Sequence, residues 1–346
     1  MAYTTIKKPS DYFNTKLYTG TGSSNALTGV GFQPDWTWIK CRDDTHNHQV
    51  FDAVRGVYKR LRTDTNGAET TSSESLKTFD SDGFTLGTQT NVNQSSGTFA
   101  SWNWKAGTTS GLSGGTITPT SYSVNATSGF GIYAYTGTNA NGTITHGLGS
   151  APSVIIVKNR LTSSKSWVVG HKSIGFQNAL FLNDTAGSTS EANLFNSTAP
   201  TSSVFTVGTG SLINDSGDSY IAYAFAEKKG YSKFGSYVGN NNTDGTFVYL
   251  GFKPAFIIVK PTSGTEHWTM YDNKRTGYNP TNYQLYPNLS SSEATLSELD
   301  IVSNGFKIRS QTGRLNSSGV TMIYMAFAEQ PLVANSGSNG VPATAR

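Results

Sequence analysis

A pattern that returns three times along the chain limits its possible folds more than any other feature. An aromatic stands two residues before a glycine at Tyr18-Thr19-Gly20, Tyr135-Thr136-Gly137 and Tyr237-Val238-Gly239. A proline turn then feeds an apolar run that ends in lysine: GFQPDWTWIK, GSAPSVIIVK and GFKPAFIIVK. Pro34 and Lys40, Pro152 and Lys158, and Pro254 and Lys260 are each six residues apart. Strands centred on Phe84, Phe205 and Phe306 follow, 50, 53 and 52 residues after the proline. The closing runs SWNWKA, AYAFAE and YMAFAE place Trp104, Phe225 and Phe327 20, 20 and 21 residues later. Spacing this steady marks one unit copied three times.

The 346 residues accordingly divide into a leader (1–11), a first copy (12–107), a Gly/Ser/Thr-rich linker (108–130), a second copy (131–229), a third (233–331) and an extended tail (332–346). The second and third copies nearly touch in sequence and are expected to pack more rigidly than the first and second. Only 14% of residues are charged, while Gly (37), Tyr (17) and Phe (18) are abundant, which favours short strands joined by turns. No stretch sustains a helical apolar period. The expected fold is all-β, with three tandem β-sandwich domains of jelly-roll or lectin-like type.

Within each proline–lysine strand both faces are apolar, so the strand is interior. Its lysine is expected to lay its stem over the core and bring its ammonium to water. In the closing strand, Tyr223 and Phe225 form a large face and Ala222, Ala224 and Ala226 a small one that admits a close neighbour. Trp102 and Trp104 keep the large face in copy one, but Asn103 and Lys105 stand opposite. That small face predicts a homo-oligomer.

Motifs for chemistry are scarce. The formal charge of +4 is spread without a basic run, which argues against nucleic acid. No apolar run reaches the roughly 18–20 residues that span a bilayer, and MAYTTIKKPSDYF lacks the apolar core of a signal peptide; synthesis in a cytoplasm without membrane insertion is expected. Cys41 alone can build neither a disulfide framework nor a zinc cage. His46 and His48 beside Asp43 and Asp44 resemble a metal site but have no counterpart in the other copies, so a polar loop is expected and neither metal nor cofactor. Glu227 and Glu329 repeat one position in different copies and are not a paired acid and base. Asp80 and Asp82 complete the carboxylates that a glycan-processing reading would need. With no nucleophile elbow, phosphate loop or zinc-protease motif, the chain reads as no enzyme. The candidate interaction surface is Arg55, Lys59, Arg60 and Arg62, with Tyr278, Tyr283 and Tyr286 as aromatics able to stack on sugar rings.

The opening MAYTTIKKPSDYFNTKLYTGTG, the runs GVGFQPDWTWIKCRD, FDAVRG and TFDSDGFTLGT, the closing SWNWKAG and the tail AFAEQPLVANSGSNGVPATAR resemble an uncharacterised domain family recurring in marine bacteriophage genomes. The resemblance covers essentially the whole chain. It implies a virion-associated protein, a tail fibre or similar surface appendage with concanavalin-like sandwich repeats, whose partners are other virion proteins of tail or capsid and a host surface glycan or protein. It carries no catalytic residues, and because fibres and spikes are usually trimeric it favours a trimer among homo-oligomers. Copies two and three lack FDAVRG and the tryptophan pair. A capsid decoration protein and a glycan-binding or glycan-processing protein are the alternatives.

Overall fold

The computed structural model describes residues 4–275 and 278–331, and it is all-β apart from short helical turns. Each copy builds its main sheet in the same order. In copy one, Phe13–Thr19 lies beside Thr98–Trp104, then Trp36–Cys41, then Gln49–Asp52. Copy two repeats this with Phe130–Thr136, Ser219–Ala226, Pro152–Asn159 and Val168–His171, and copy three with Ser232–Val238, Thr321–Pro331, Phe252–Pro261 and Thr269–Asp272. The repeated prolines set a common register: Trp36, Val154 and Phe256 pair with Trp104, Phe225 and Phe327. A smaller sheet covers one face of each, led by Asn25–Leu27 with Gly83–Leu86, Gly142–Thr145 with Val204–Val207, and Phe247–Tyr249 with Gly305–Ile308.

The two faces of the main strands go to different places. Side chains such as Tyr133, Ile155 and Ala224 meet Ile144 and Phe205 of the copy's own small sheet. The alanine face of the closing strand is therefore filled from within its copy and offers no surface to another chain. The large face points instead into a core shared by all three copies, where Trp36, Trp104, Phe130, Tyr223, Phe256 and Phe327 belong to one buried cluster. Trp36 stacks on Tyr223 of copy two (4.7 Å), and Trp104 meets Phe327 of copy three edge-on (5.6 Å). Phe225 of copy two meets the same Phe327 (5.7 Å). Such rings each bury roughly 150–250 Å² and dominate core energetics. The space left among Trp36, Trp38, Trp104, Phe256 and Trp268 is only about 10 Å³ and apolar-walled.

Equivalent hydrogen bonds run from copy to copy and close a ring. Glu69 N–H donates to the Arg160 carbonyl (2.9 Å), Ser188 N–H to that of Thr262 (2.8 Å) and Glu293 N–H to that of Arg42 (2.7 Å). A second set uses the residue before the fourth strand. Trp167 Nε1 donates to the Arg62 carbonyl (2.7 Å) and Trp268 Nε1 to that of Phe181 (2.9 Å). His48 Nε2 donates to the Tyr286 carbonyl (3.0 Å), since its Nδ1 accepts from Trp38 Nε1. The seam between copies one and two is thus built like that between two and three, in contrast to the looser joint expected from the sequence.

The linker reading changes for the same reason. Ser121–Asn125 pairs with Phe130–Thr136 as an added edge strand, and Ile117 is buried. A Gly/Ser/Thr-rich composition is compatible with an edge strand when its backbone groups find partners. The leader is anchored as well: Ile6 joins the shared core and Pro9–Asp11 form a 3-10 turn. The expected extended tail, 332–346, lies outside the described residues.

A recurrence absent from the landmarks above emerges at the short helical turns. Asn93, Asn214 and Asn316 each stand eleven residues before the closing aromatic and are fully buried. Each side chain accepts a backbone N–H from the loop after the first strand, at Thr21, Thr138 and Asn240 (2.8, 2.8 and 2.9 Å). Each also donates back to nearby carbonyls, including Gly87, Gly208 and Ser310. An amide that offers both donor and acceptor suits this role.

Candidate functional site

The residues expected to form one interaction surface are scattered, some in the seams between copies and some outside them. Arg55 is not exposed: its guanidinium is buried against Asp52 and Glu69. Glu69 also takes Arg160 of copy two (3.0 Å), and Asp52 accepts from the Tyr223 hydroxyl (2.7 Å). Burial pushes the Glu69 carboxyl up, but the two guanidiniums outweigh it and hold the group below its usual range. Lys59 and Arg60 lie half-buried beside Thr71 and Thr70. Arg62, also half-buried, serves through its carbonyl. Among the tyrosines, Tyr278 is 70% exposed. Tyr283 sits under Arg42 of copy one, and Tyr286 lies between His267 and Arg314. Their ends belong to the seam between copies three and one, so the seven do not form one surface. A run of basic residues reads as solvated only when the acids that neutralise it are invisible, and Glu69 and Arg160 are distant in sequence from Arg55 or from each other.

Copy three repeats the ion network. Arg275 pairs with Asp272 and Glu293, Glu293 also takes Arg42 (2.9 Å), and Asp272 accepts from Trp102 Nε1 (3.0 Å). In copy two, His171 and Ile174 occupy these places, and the His171 ring contacts the Tyr324 carbonyl at 3.3 Å.

The histidine–aspartate cluster does not come together. His46 turns to Gln94 while His48 is buried toward Trp38 and copy three, because 45–48 is irregular and a strand's alternation does not apply. Among the described residues no group of three His, Cys, Asp or Glu could hold a metal ion, and no helix is long and apolar enough to cross a membrane. The carboxylates weighed for hydrolysis are each engaged separately. Glu227 meets Lys172 (2.6 Å), Glu329 meets Lys253 (3.0 Å), Asp80 accepts from Thr85, and Asp82 accepts backbone N–H groups of Gly29 and Gly31.

The repeated lysines differ most from expectation. Lys40, Lys158 and Lys260 are fully buried, and their ammonium groups donate to carbonyls of Cys41 (2.6 Å), Asn159 (2.8 Å) and Thr185 (2.9 Å). Burial pulls each down to about 8. Lys158 has no nearby carboxylate to offset this. Because the folded pKa lies below the unfolded one, the fold bears a penalty at neutral pH that disappears as pH rises from 8 toward 10.5. Lys158→Met is therefore expected to stabilise the protein by about 1–3 kcal/mol at pH 7, with a smaller gain at pH 10. Urea unfolding at both pH values checks this.

Acid should act in the opposite direction through the histidines. His171 accepts from Ser173 N–H at Nδ1, so its second proton would remove that bond. Burial pulls it down to about 4, and pulls His48 and His146 down too. Stability that is full above pH 6.5 is lost as pH falls toward 4, by about 3 kcal/mol for His171 alone. A urea midpoint that does not move between pH 7.5 and 5 would contradict this.

A cleft of about 610 Å³, not foreseen from the sequence, opens where copy one meets the added strand of copy two. It contains Asp35, whose carboxylate accepts from Ala106 N–H (2.7 Å) and Ser123 Oγ (2.9 Å), and which burial pushes upward. The signal was available in the copies: Ser153 and Ala255 stand at its position, so Asp35 is the odd one. The side chain that meets it, Ser123, comes from the supposed linker, which the sequence left unplaced.

No curated protein and no solved structure matches the chain. A family does match over residues 8–331, a span that takes in all three copies and the segment joining the first two, and the chain belongs to that family, described as Domain of unknown function (DUF7483).

Proposed function

We propose that this chain is a non-enzymatic structural protein of a bacteriophage particle surface, a tail fibre or similar appendage contributing to host attachment. The observation that carries the structural part is the ring: buried ion pairs, aromatic rings and backbone bonds hold three copies in one arrangement. The buried charges of Arg55, Glu69, Arg275 and Glu293 are occupied in holding it. The viral location rests on the resemblance of the sequence runs quoted above. We further infer a jelly-roll or lectin-like kinship, supported by the first strand lying beside the last and the second beside the penultimate in copy one.

Capsid decoration is the second reading, and one observation favours it. A single chain with three similar faces around one axis is suited to a partner with threefold or quasi-threefold symmetry, where three weak contacts reinforce each other. A homotrimer of this chain would have to form through outward loops, since the alanine faces are covered. Gold-labelled antibody on intact particles separates the readings. Label on the tail supports attachment, label over the head supports decoration, and particles without label overturn both.

A further inference from the structure

The three copies differ in chemistry at the cleft beside Asp35. At the position of Ala106, copies two and three carry Glu227 and Glu329, paired with Lys172 and Lys253. Where copy three meets the first strand of copy one, the cavity lined by Ala255, Asn273, Lys274 and Glu329 is only about 50 Å³. Copy one lacks that glutamate, and the inserted strand Ser121–Asn125 supplies a new wall, so its cleft is open and large enough for a small ligand.

We propose that this cleft binds a neutral oligosaccharide. Its polar lining is dominated by hydroxyls and an amide, from Thr109, Thr120, Ser121 and Gln33, which can both donate and accept. Asp35 is 7% exposed and fixed from behind by Ala106 N–H and Ser123 Oγ, leaving acceptor capacity for a sugar hydroxyl. Its orientation costs nothing further on binding, which is the advantage of a preorganised group. Half-buried Tyr122, whose hydroxyl is held by Leu112 N–H (2.8 Å), and the small apolar side chains of Ala53 and Val54 offer the nonpolar surface that a sugar's C–H face requires. Lys105 and Asp35 are of opposite sign in one lining, so the cleft presents no cluster of like charges to select an anion.

The proposal extends the attachment reading but is tested on the isolated full chain, so its failure is distinct from that of the particle location. Saturation-transfer NMR against a panel of neutral hexose and N-acetylhexosamine trisaccharides, with trigalacturonate as the anionic control, is the experiment. At least one neutral trisaccharide should bind in the millimolar range and trigalacturonate should not. Ala106→Gln, which brings in a side chain of the size copies two and three carry there, and Ser121→Trp, at an exposed strand position, should each weaken binding at least about tenfold. Ser121→Trp should keep the wild-type melting temperature, so loss of binding there is not loss of fold. Absence of neutral binding, preference for the uronate, or binding that survives both substitutions would overturn the proposal.

Discussion

Trp36→Ala is expected to destabilise the whole molecule by about 3–5 kcal/mol and to lower the unfolding of all three copies together. Trp36 contacts the rings of Trp38 and Trp104 in its own copy and of Tyr223 and Phe225 in the next, and it is 3% exposed. Its loss leaves a void at a site whose walls come from different copies and cannot collapse independently. Trp36→Phe should cost much less, because the indole Nε1 is buried without a partner and its removal forfeits no hydrogen bond. Chemical unfolding followed by far-ultraviolet circular dichroism and tryptophan fluorescence provides the check. Coincident transitions shifted together support a shared core; a variant in which one probe moves and the other does not would mean that the copies hold separate cores.

Arg275→Ala should be comparably severe, again about 3–5 kcal/mol, for an electrostatic reason. The guanidinium is buried and neutralises Asp272, which is 1% exposed, and Glu293. Although burial pushes Asp272 up, Arg275 and the backbone N–H groups hold its carboxyl below the usual range. Without Arg275 the Asp272 charge keeps Trp102 Nε1 and backbone donors but has no counter-ion, and Glu293 depends on Arg42 alone. Arg275→Met combined with Asp272→Asn, which removes the unpaired charge and keeps an oxygen to accept from Trp102 Nε1, should recover part of the loss. Copy two, with His171 and Ile174 at these places, shows that the position accommodates a neutral polar group beside an apolar one. Equal stability of Arg275→Ala and wild type in urea would show the network to be energetically idle.

The contrast between the two arginine sites and the sequence reading explains where inference from residues stopped. Arg55 stands in a basic stretch, and local composition makes it look solvated. Its neutralising acids are Asp52, three residues away, and Glu69, fourteen away, and Glu69 must also reach Arg160. Spacing along a chain reports neighbours on one strand or turn and is silent about pairs brought together by closure of a ring. The lysines show the same limit. Their phase with Trp36 and Trp38, Val154 and Ile156, or Phe256 and Ile258 was legible, but the ammonium meets a carbonyl and not water because neighbouring segments close over the strand end. His46 and His48 are two residues apart yet reach different partners, because 45–48 is not a strand and spacing alone does not give the direction of a loop side chain.

What the sequence determined by itself was the repeat, the runs that recur as strands in each copy, and the all-β class. These depend on local backbone preferences: proline before an extended run, glycines at turns, and alternation of apolar residues on a pleat. It also showed that both faces of the inner strands are apolar. Only the tertiary structure decided what each face meets: the small residues face the copy's own second sheet, and the large aromatics face the other two copies. A strand's periodicity fixes which side chains share a face, but the neighbour that removes that face from water is chosen by the closure of three sheets around one core, and that is a property of the assembled chain.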